Sequence, residues 1–182
     1  MSIIKVNTLK HTNDTEALTV ASDGKVSLAK PFSPNNLVEY WLLNKGNDDA
    51  EGTSFTLTPW ALDTRTGIAS RNTGMSHSTG VFTFPRTGLY RVSLTTRHYA
   101  ATAYIGGCID LSTDTGANYT TMSRTYGATA HAGHHHFSYT SMIFNIANAT
   151  TYKMRFVVLT SSSVNVRGNN DANACSVLFE EI

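Results

Sequence analysis

The clearest pattern of apolar and polar positions in the chain lies between residues 80 and 94. Phe82 and Phe84 share one face of an alternating segment, which ends at Pro85 because proline removes a backbone N–H donor. Gly88 then allows a tight return, and a second alternating segment follows. Its apolar face comprises Tyr90, Val92 and Leu94. A period of two is typical of a strand with one buried face, so this stretch predicts a strand, a corner, a second strand and an antiparallel, all-β fold.

The same alternation predicts further short strands along the chain. The clearest of them runs from Tyr152 to Leu159, and one of its faces comprises Tyr152, Met154, Phe156 and Val158. Gly106 and Gly107 predict a β-bulge in another strand, from Ala103 to Leu111. Residues 37–43 form the longest apolar stretch, which fits either a buried strand or two turns of helix because the pattern alone does not separate them.

Residues 1–30 carry a separate set of three short strands joined by polar turns. Apolar positions in the first two strands are Ile4, Val6, Leu9, Leu18 and Val20. Strands this short bury little apolar surface by themselves. We therefore expect the segment to pack against its own domain, sister chains or another protein. As an anchor it would pair strands with sister chains or with another protein. Pro31 and Pro34 mark the boundary to a head domain that we place at residues 35–182.

Composition supports one β-rich domain with an appendage. The chain has 182 residues, of which 41% are hydrophobic and only 15% are charged, well below the ordinary share of about a quarter. The net charge is +1 and there is no run of lysine or arginine, which argues against nucleic-acid binding. No apolar run approaches the length of a membrane helix and Met1 begins no signal peptide, so we expect synthesis in a cytoplasm and no membrane insertion.

Little in the sequence predicts catalysis. Asp110 and Asp114 lie four residues apart around a predicted hairpin without a third carboxylate, and no glycine-rich phosphate loop precedes a helix. We predict that the protein is not an enzyme and needs no cofactor. Cys108 and Cys175 lack the spacing of metal ligands and are expected to be buried free thiols.

One cluster of histidines leaves three interpretations open. His131 and residues 134–136 are all histidine, and on a strand His134 and His136 would point to the same side. Such a pair could share a metal or form an axial or pH-responsive interface between chains. The favoured interpretation is a polar loop that enters a strand and binds no metal. His77 and His98 are taken as ordinary polar positions.

Aromatic residues and loops supply the candidates for recognition. A carbohydrate-binding surface could draw on Tyr40, Trp41, Trp60, Tyr99, Tyr104 and Tyr126. Most of them are expected in the core, because aromatic side chains carry large apolar areas. The loops at residues 44–53, 63–78 and 167–173 are better candidates for a surface that meets a receptor.

The stretch Gly80 to Val92 also resembles a known family. Its pattern Gly-x-Phe-Thr-x-Pro-x-x-Gly-x-Tyr-x-Val is similar to a strand passage of the tumour-necrosis-factor-like superfamily, which includes the globular head of complement. The resemblance implies a jelly roll of ten strands that assembles as a homotrimer. The resemblance also implies that many of the aromatic residues are buried where the chains meet. Candidates for the trimer interface or the threefold axis are His134, His136, Tyr90, Phe156 and Phe179.

A second resemblance covers the N-terminal segment. The stretches Ser2–Leu9, Ala17–Val20 and Ser22–Val26 resemble the lead-in of small structural proteins of tailed bacteriophages, especially cyanophages. This resemblance implies a virion protein whose partners are other capsid or tail proteins. The short anchor favours a capsid decoration or cement protein. The alternative is a tail-fibre tip or adhesin that binds a host surface glycan.

Overall fold

A computed structural model of the chain divides into two compact units, Met1–Asn35 and Asn36–Ile182. The structure describes residues 8–10, 16–20, 23, 26–28, 36–44, 48–50, 54–66, 74–99, 102–129, 135–161, 164–168 and 174–182. The first unit contains an antiparallel sheet of three strands, β1 (Thr8–Lys10), β2 (Glu16–Val20) and β3 (Val26–Leu28), in the order β1-β2-β3.

The backbone of the first unit places three of the five predicted anchor positions in paired strands. Leu9 of β1 pairs with Leu18 of β2, which also pairs with Leu28 of β3. Val20 pairs with Val26 at the end of the sheet. Ile4 and Val6 lie outside the described residues, and the anchoring role remains a prediction.

The second unit is built from strands alone in its described residues. These strands are β4 (Val38–Leu43), β5 (Asp48–Ala50), β6 (Ser54–Thr56), β7 (Trp60–Leu62), β8 (Ser76–Ser78), β9 (Val81–Thr83), β10 (Gly88–Tyr99), β11 (Thr102–Ser112), β12 (Thr120–Arg124), β13 (Gly127–Thr129), β14 (His135–Ile146), β15 (Lys153–Thr160), β16 (Val164–Val166) and β17 (Ser176–Glu181). No helix among the described residues is long and apolar enough to span a bilayer.

The strands form two antiparallel sheets. Sheet I has the order β5-β16-β10-β17-β4-β7, with β14 paired to β10. Sheet II has the order β12-β11-β15-β9-β8, with β13 paired to β11 and β6 paired to β15. Neighbours in each sheet are often distant in sequence, so the chain crosses repeatedly between the two layers. The prediction of an antiparallel, all-β sandwich is confirmed.

The core lies between the sheets and is dominated by aromatic rings. The ring centre of Phe82 lies 5.4 Å from that of Phe156 and 5.0 Å from that of Phe179. Tyr90 packs against Phe84 at 5.0 Å, and its hydroxyl donates to the carbonyl oxygen of Arg86 at 3.1 Å. Burying one such side chain contributes about 1.5–3 kcal/mol, so this cluster holds the two layers together.

This packing corrects three of the predicted interface residues. Tyr90, Phe156 and Phe179 are each 0% exposed in a single chain. They have no surface left for a neighbouring chain because their rings fill the space between sheets I and II. They are core residues, although the family resemblance pointed to them as interface candidates.

Residues 37–43 are resolved in favour of a strand. The segment contains β4, which pairs with β17 on one side and with β7 on the other. Glu39 points inward and is 1% exposed. Its carboxylate accepts hydrogen bonds from Trp41 Nε1 at 2.9 Å and from the backbone N–H groups of Gly74 and Met75. These bonds compensate for the burial of the charge.

The predicted bulge at Gly106 and Gly107 is wrong. Both residues pair with β15 in an unbroken register. β11 is irregular instead between Ile109 and Asp110, opposite β12, and between Thr102 and Ile105, opposite β13. The glycines serve close packing. A Cβ on Gly106 would lie 1.7 Å from the carbonyl oxygen of Thr125, and one on Gly107 would lie 3.0 Å from Leu94 Cδ2.

Candidate assembly surface

Among the described residues, β10 and β14 form the longest pair of strands. They align in register over their whole lengths, from Gly88 opposite Ile146 to Tyr99 opposite His135. Directly opposed residues of an antiparallel pair point to the same face. Most even-numbered residues, such as Val92 and Phe144, face the core, although Met142 is 39% exposed, and the odd-numbered residues of both strands face outward.

The outward face of this pair is unusually apolar. We call assembly surface the set of exposed apolar residues Leu89, Phe137, Tyr139, Ile143 and Ile182. Their exposed fractions range from 44% at Ile182 to 61% at Tyr139. Ile182 belongs to the set because its N–H donates to the carbonyl oxygen of Leu89 at 3.0 Å. Exposed apolar residues gathered on one face mark a surface that binds another molecule.

Hydrogen bonds orient the central tyrosine of this surface. The hydroxyl of Tyr139 donates to Ser93 Oγ at 3.3 Å, and Ser93 Oγ lies 2.8 Å from Ser141 Oγ. Hydrogen bonding to these two serines lowers the pKa of Tyr139 from its ordinary value. The hydroxyl of Tyr139 is therefore fixed to the sheet, while the side chain remains 61% exposed.

Charges on the same face are mostly neutralised or stacked. Arg91 Nη1 lies 2.8 Å from a carboxylate oxygen of Glu180, and both side chains are partly exposed. The guanidinium of Arg97 lies 5.7 Å from the ring centre of Phe137. Arg97 Nε is buried and has no hydrogen-bond partner among the described residues. An apolar patch with few bare charges costs little to desolvate.

The histidine cluster is only partly described. His134 and His131 lie outside the described residues, and His135 is the first residue of β14. His136 faces inward, where its ring stacks at 6.4 Å on His98 and lies against Gly127. No group of three or more potential metal ligands occurs among the described residues. The axial role of His134 and His136 remains a prediction, and His136 is not part of the outward face.

His98 is not an ordinary polar position. It is fully buried, with Nε2 2.6 Å from Thr96 Oγ1 and 3.3 Å from Ser138 Oγ. Burial and the neighbouring His136 lower the pKa of His98 to about 3. Its Nδ1 has no hydrogen-bond partner among the described residues. His77, in contrast, packs at 4.9 Å on Phe82 and accepts a hydrogen bond from Gly80 N–H at 2.9 Å.

The remaining candidates have structural roles or lie on the other sheet. Trp41 and Trp60 pack on Phe82 at 5.2 and 6.0 Å, whereas Tyr104 and Tyr126 are exposed on sheet II. The recognition loops predicted at residues 44–53, 63–78 and 167–173 are described only in part.

The carboxylates of Asp110 and Asp114, the two aspartates considered for catalysis, are both engaged in hydrogen bonds to neighbouring residues. Asp110 accepts from Arg155 Nε at 3.1 Å and from Thr121 Oγ1 at 2.7 Å. Asp114 accepts from Ser112 Oγ and from the backbone of Asn118 in a turn, which lowers its pKa to about 2. Cys108 and Cys175 are buried free thiols, as predicted, and burial raises the pKa of each.

Comparison with solved structures places this architecture in a known fold. No protein-family model and no curated protein matches the sequence. The crystal structure of murine APRIL at pH 8.0 superposes with a TM-score of 0.60 at 11% identity, over 81% of this chain and 99% of APRIL. Eiger TNF from S. frugiperda gives 0.60 at 8% identity, over 81% and 92% of the two chains. The fold is a TNF-like jelly roll. At these identities the likeness concerns the fold alone.

Proposed function

We propose that the protein is a non-enzymatic head that assembles as a homotrimer through the assembly surface. The observation that carries this proposal is the row of exposed apolar side chains along the outward face of β10 and β14. Each strand has 12 residues and thus spans about 40 Å. A face of this length can supply the roughly 800 Å² per partner that a stable interface needs.

Three copies are favoured over two by the fold and by the sequence motif at Gly80–Val92. Both the fold and the motif resemble a superfamily whose jelly rolls associate in threes. Exposed apolar side chains also recur along the outward face of β10 and β14. Association would remove Phe137, Tyr139 and Ile143 from water, which contributes favourably in proportion to the apolar area.

The test is the oligomeric state of the full chain and of one charged variant. We expect wild-type protein to have three times the 19.8 kDa mass of one chain in sedimentation equilibrium at micromolar concentration. Ile143→Arg should give the monomer, because it buries a charge without a partner at the interface. Met122→Arg is the matched control, since Met122 is a large apolar residue that is 40% exposed, against 50% for Ile143, but lies on β12 in sheet II.

Two results would contradict trimer formation through this face. One is a wild-type protein that sediments as a monomer at all accessible concentrations. The other is an Ile143→Arg variant that keeps the trimer mass while Met122→Arg loses it, which would move the interface to sheet II.

The finer proposal concerns the particle. We infer from the N-terminal resemblance that the unit Met1–Asn35 anchors the head to a phage virion, as a capsid decoration or cement protein. The alternative, a tail-fibre tip or adhesin, is favoured by the exposed Tyr104 and Tyr126 on sheet II. Cryo-electron microscopy of intact particles separates the two. Density spread over the shell supports decoration, density confined to the tail supports the adhesin, and its absence from the particle contradicts both.

A further inference from the structure

Two arginine–tyrosine pairs on the outward face of sheet II differ in how their charge is neutralised. The guanidinium of Arg155 lies 4.1 Å from the ring centre of Tyr119, and its Nε donates to Asp110 Oδ2 at 3.1 Å. The guanidinium of Arg124 lies 5.6 Å from the ring centre of Tyr126 and reaches its hydroxyl at 3.4 Å. No carboxylate of the described residues pairs with Arg124.

A second tyrosine extends the pair that lacks a carboxylate. The rings of Tyr104 and Tyr126 meet edge to face, with their centres 5.7 Å apart, and the two residues are 47% and 46% exposed. We call Tyr104, Arg124 and Tyr126 the aromatic patch. Ser161 fixes the backbone of Tyr104, because its N–H donates to the Tyr104 carbonyl oxygen at 3.1 Å and its Oγ accepts from Tyr104 N–H at 3.3 Å.

The backbone beneath the aromatic patch is tightly packed. The connection from β12 to β13 packs against β11 at Gly106, where the missing side chain admits the carbonyl of Thr125 and the Cα of Tyr126. Thr125 N–H donates to the carbonyl oxygen of Gly107 at 3.1 Å. The patch is thus presented by paired strands and a short hydrogen-bonded link, so little ordering entropy is lost when a ligand binds.

We propose that the aromatic patch binds an acidic saccharide, meaning a sugar that carries a carboxylate or a sulfate group. The C–H face of a sugar ring packs on the exposed surface of tyrosine, and the phenol hydroxyls exchange hydrogen bonds with sugar hydroxyls. The planar guanidinium of Arg124 matches the two oxygens of a carboxylate or sulfate. At Arg155 the carboxylate of Asp110 already binds the guanidinium. The pair of Arg155 and Tyr119 is therefore not part of the site.

A saccharide fits this patch better than a protein partner does. Two tyrosines and an arginine expose much less than the roughly 800 Å² that a stable protein interface buries on each side. The only other large apolar residue exposed on β12 in the described chain is Met122. The inference goes beyond the proposed assembly and does not depend on it, since the assembly surface lies on the other sheet.

Isothermal titration calorimetry of the full-length protein tests the proposal. The probes are trigalacturonic acid, which carries carboxylates, a sulfated heparin tetrasaccharide, and neutral maltotriose. We expect at least one acidic probe to bind about tenfold or more tightly than maltotriose, and its affinity to fall as salt is added. Arg124→Gln, Tyr104→Ala and Tyr126→Ala should each weaken this binding by about tenfold. Tyr119→Ala is the matched control and should bind as the wild type does.

Several results would overturn the proposal. They are the absence of binding by both acidic probes at millimolar concentration, equal binding of maltotriose, and unchanged affinity in Arg124→Gln. Ile143→Arg keeps the test separate from the assembly hypothesis. A monomeric Ile143→Arg protein should retain the affinity per site, so failure of trimer formation and failure of saccharide binding are distinguishable.

Discussion

The outward faces of sheets I and II have the same alternating geometry but different chemistry. On sheet I, the exposed positions of β10 and β14 hold Phe137, Tyr139 and Ile143, and the nearby Arg91 is paired with Glu180. On sheet II, the exposed positions near β11 hold tyrosines, and Arg124 has no carboxylate partner among the described residues. Alternation decides which side chains point outward, but their polarity decides what each face can bind.

The two faces differ in the free energy of removing water from them. Removing water from the assembly surface is favourable, because its charges are few and mostly paired. The aromatic patch keeps a guanidinium that must stay hydrated or meet an anion. The first face therefore suits another copy of the chain, and the second suits a small polar ligand.

The largest effect is expected from Gly106→Ala, which acts beneath the aromatic patch. The new methyl group would overlap the carbonyl oxygen of Thr125, 1.7 Å from the ideal Cβ position, so the link between β12 and β13 must move. We expect a loss of about 3 kcal/mol in the free energy of unfolding, measured by urea denaturation. The protein that remains folded should still form trimers, because sheet I is not touched.

Gly107→Ala is the matched control for that change. Its Cβ would meet the far end of the Leu94 side chain at 3.0 Å, and a flexible side chain adjusts more easily than backbone does. We expect a loss of about 1 kcal/mol. Equal losses in the two variants would contradict the close backbone contact at Gly106.

The fold could be predicted from the sequence because its signals are local. The corner at Pro85 and Gly88, and the alternation that follows it, depend on backbone chemistry within a few residues. The structure confirms both, with β9 ending at Thr83 and β10 beginning at Gly88. Residues 37–43 remained ambiguous because only pairing with β17 and β7, which are distant in sequence, makes them a strand.

The assembly surface could not be predicted in the same way. Alternation shows which residues share a face, but it does not show which face is buried. On β14 the large residues Phe137 and Tyr139 point outward, whereas Ser138 and Thr140 are buried. Thr140 bonds to Ser123 of β12, so the inner side of β14 packs closely on a strand of sheet II at this position, where a large ring would not fit. Aromatic content alone favours the opposite assignment.

A smaller effect, which acts between the two faces, is expected when the pH is lowered. His98 has a pKa of about 3 in the folded protein, because it is buried beside His136, but about 6.5 when unfolded. Between these values the unfolded chain binds a proton that the folded chain does not. Stability is therefore highest above pH 6.5 and declines as the pH falls toward 3. At pH 5 the loss is roughly 2 kcal/mol.

Urea denaturation at pH 7.5 and pH 5, with wild type and His98→Gln, measures this contribution. Gln keeps a polar group beside Thr96 and Ser138 but does not titrate in this range. The pKa of His77 is also lowered by burial, but it acts equally in both proteins and cancels in the difference. A loss of stability on acidification that is the same in both proteins would show that His98 is protonated without cost in the folded state.

The smallest effect concerns the ion pairs on the two faces. Arg91–Glu180 on sheet I is partly exposed at both ends, so a double-mutant cycle should give a coupling of about 0.3 kcal/mol that salt reduces. In Arg155–Asp110 on sheet II the carboxylate side chain is only 7% exposed, and Thr121 also bonds to it. Its coupling should be about 1 kcal/mol and less sensitive to salt. Equal couplings for the two pairs at both low and high salt would contradict the view that the burial of Asp110 strengthens its interaction with Arg155.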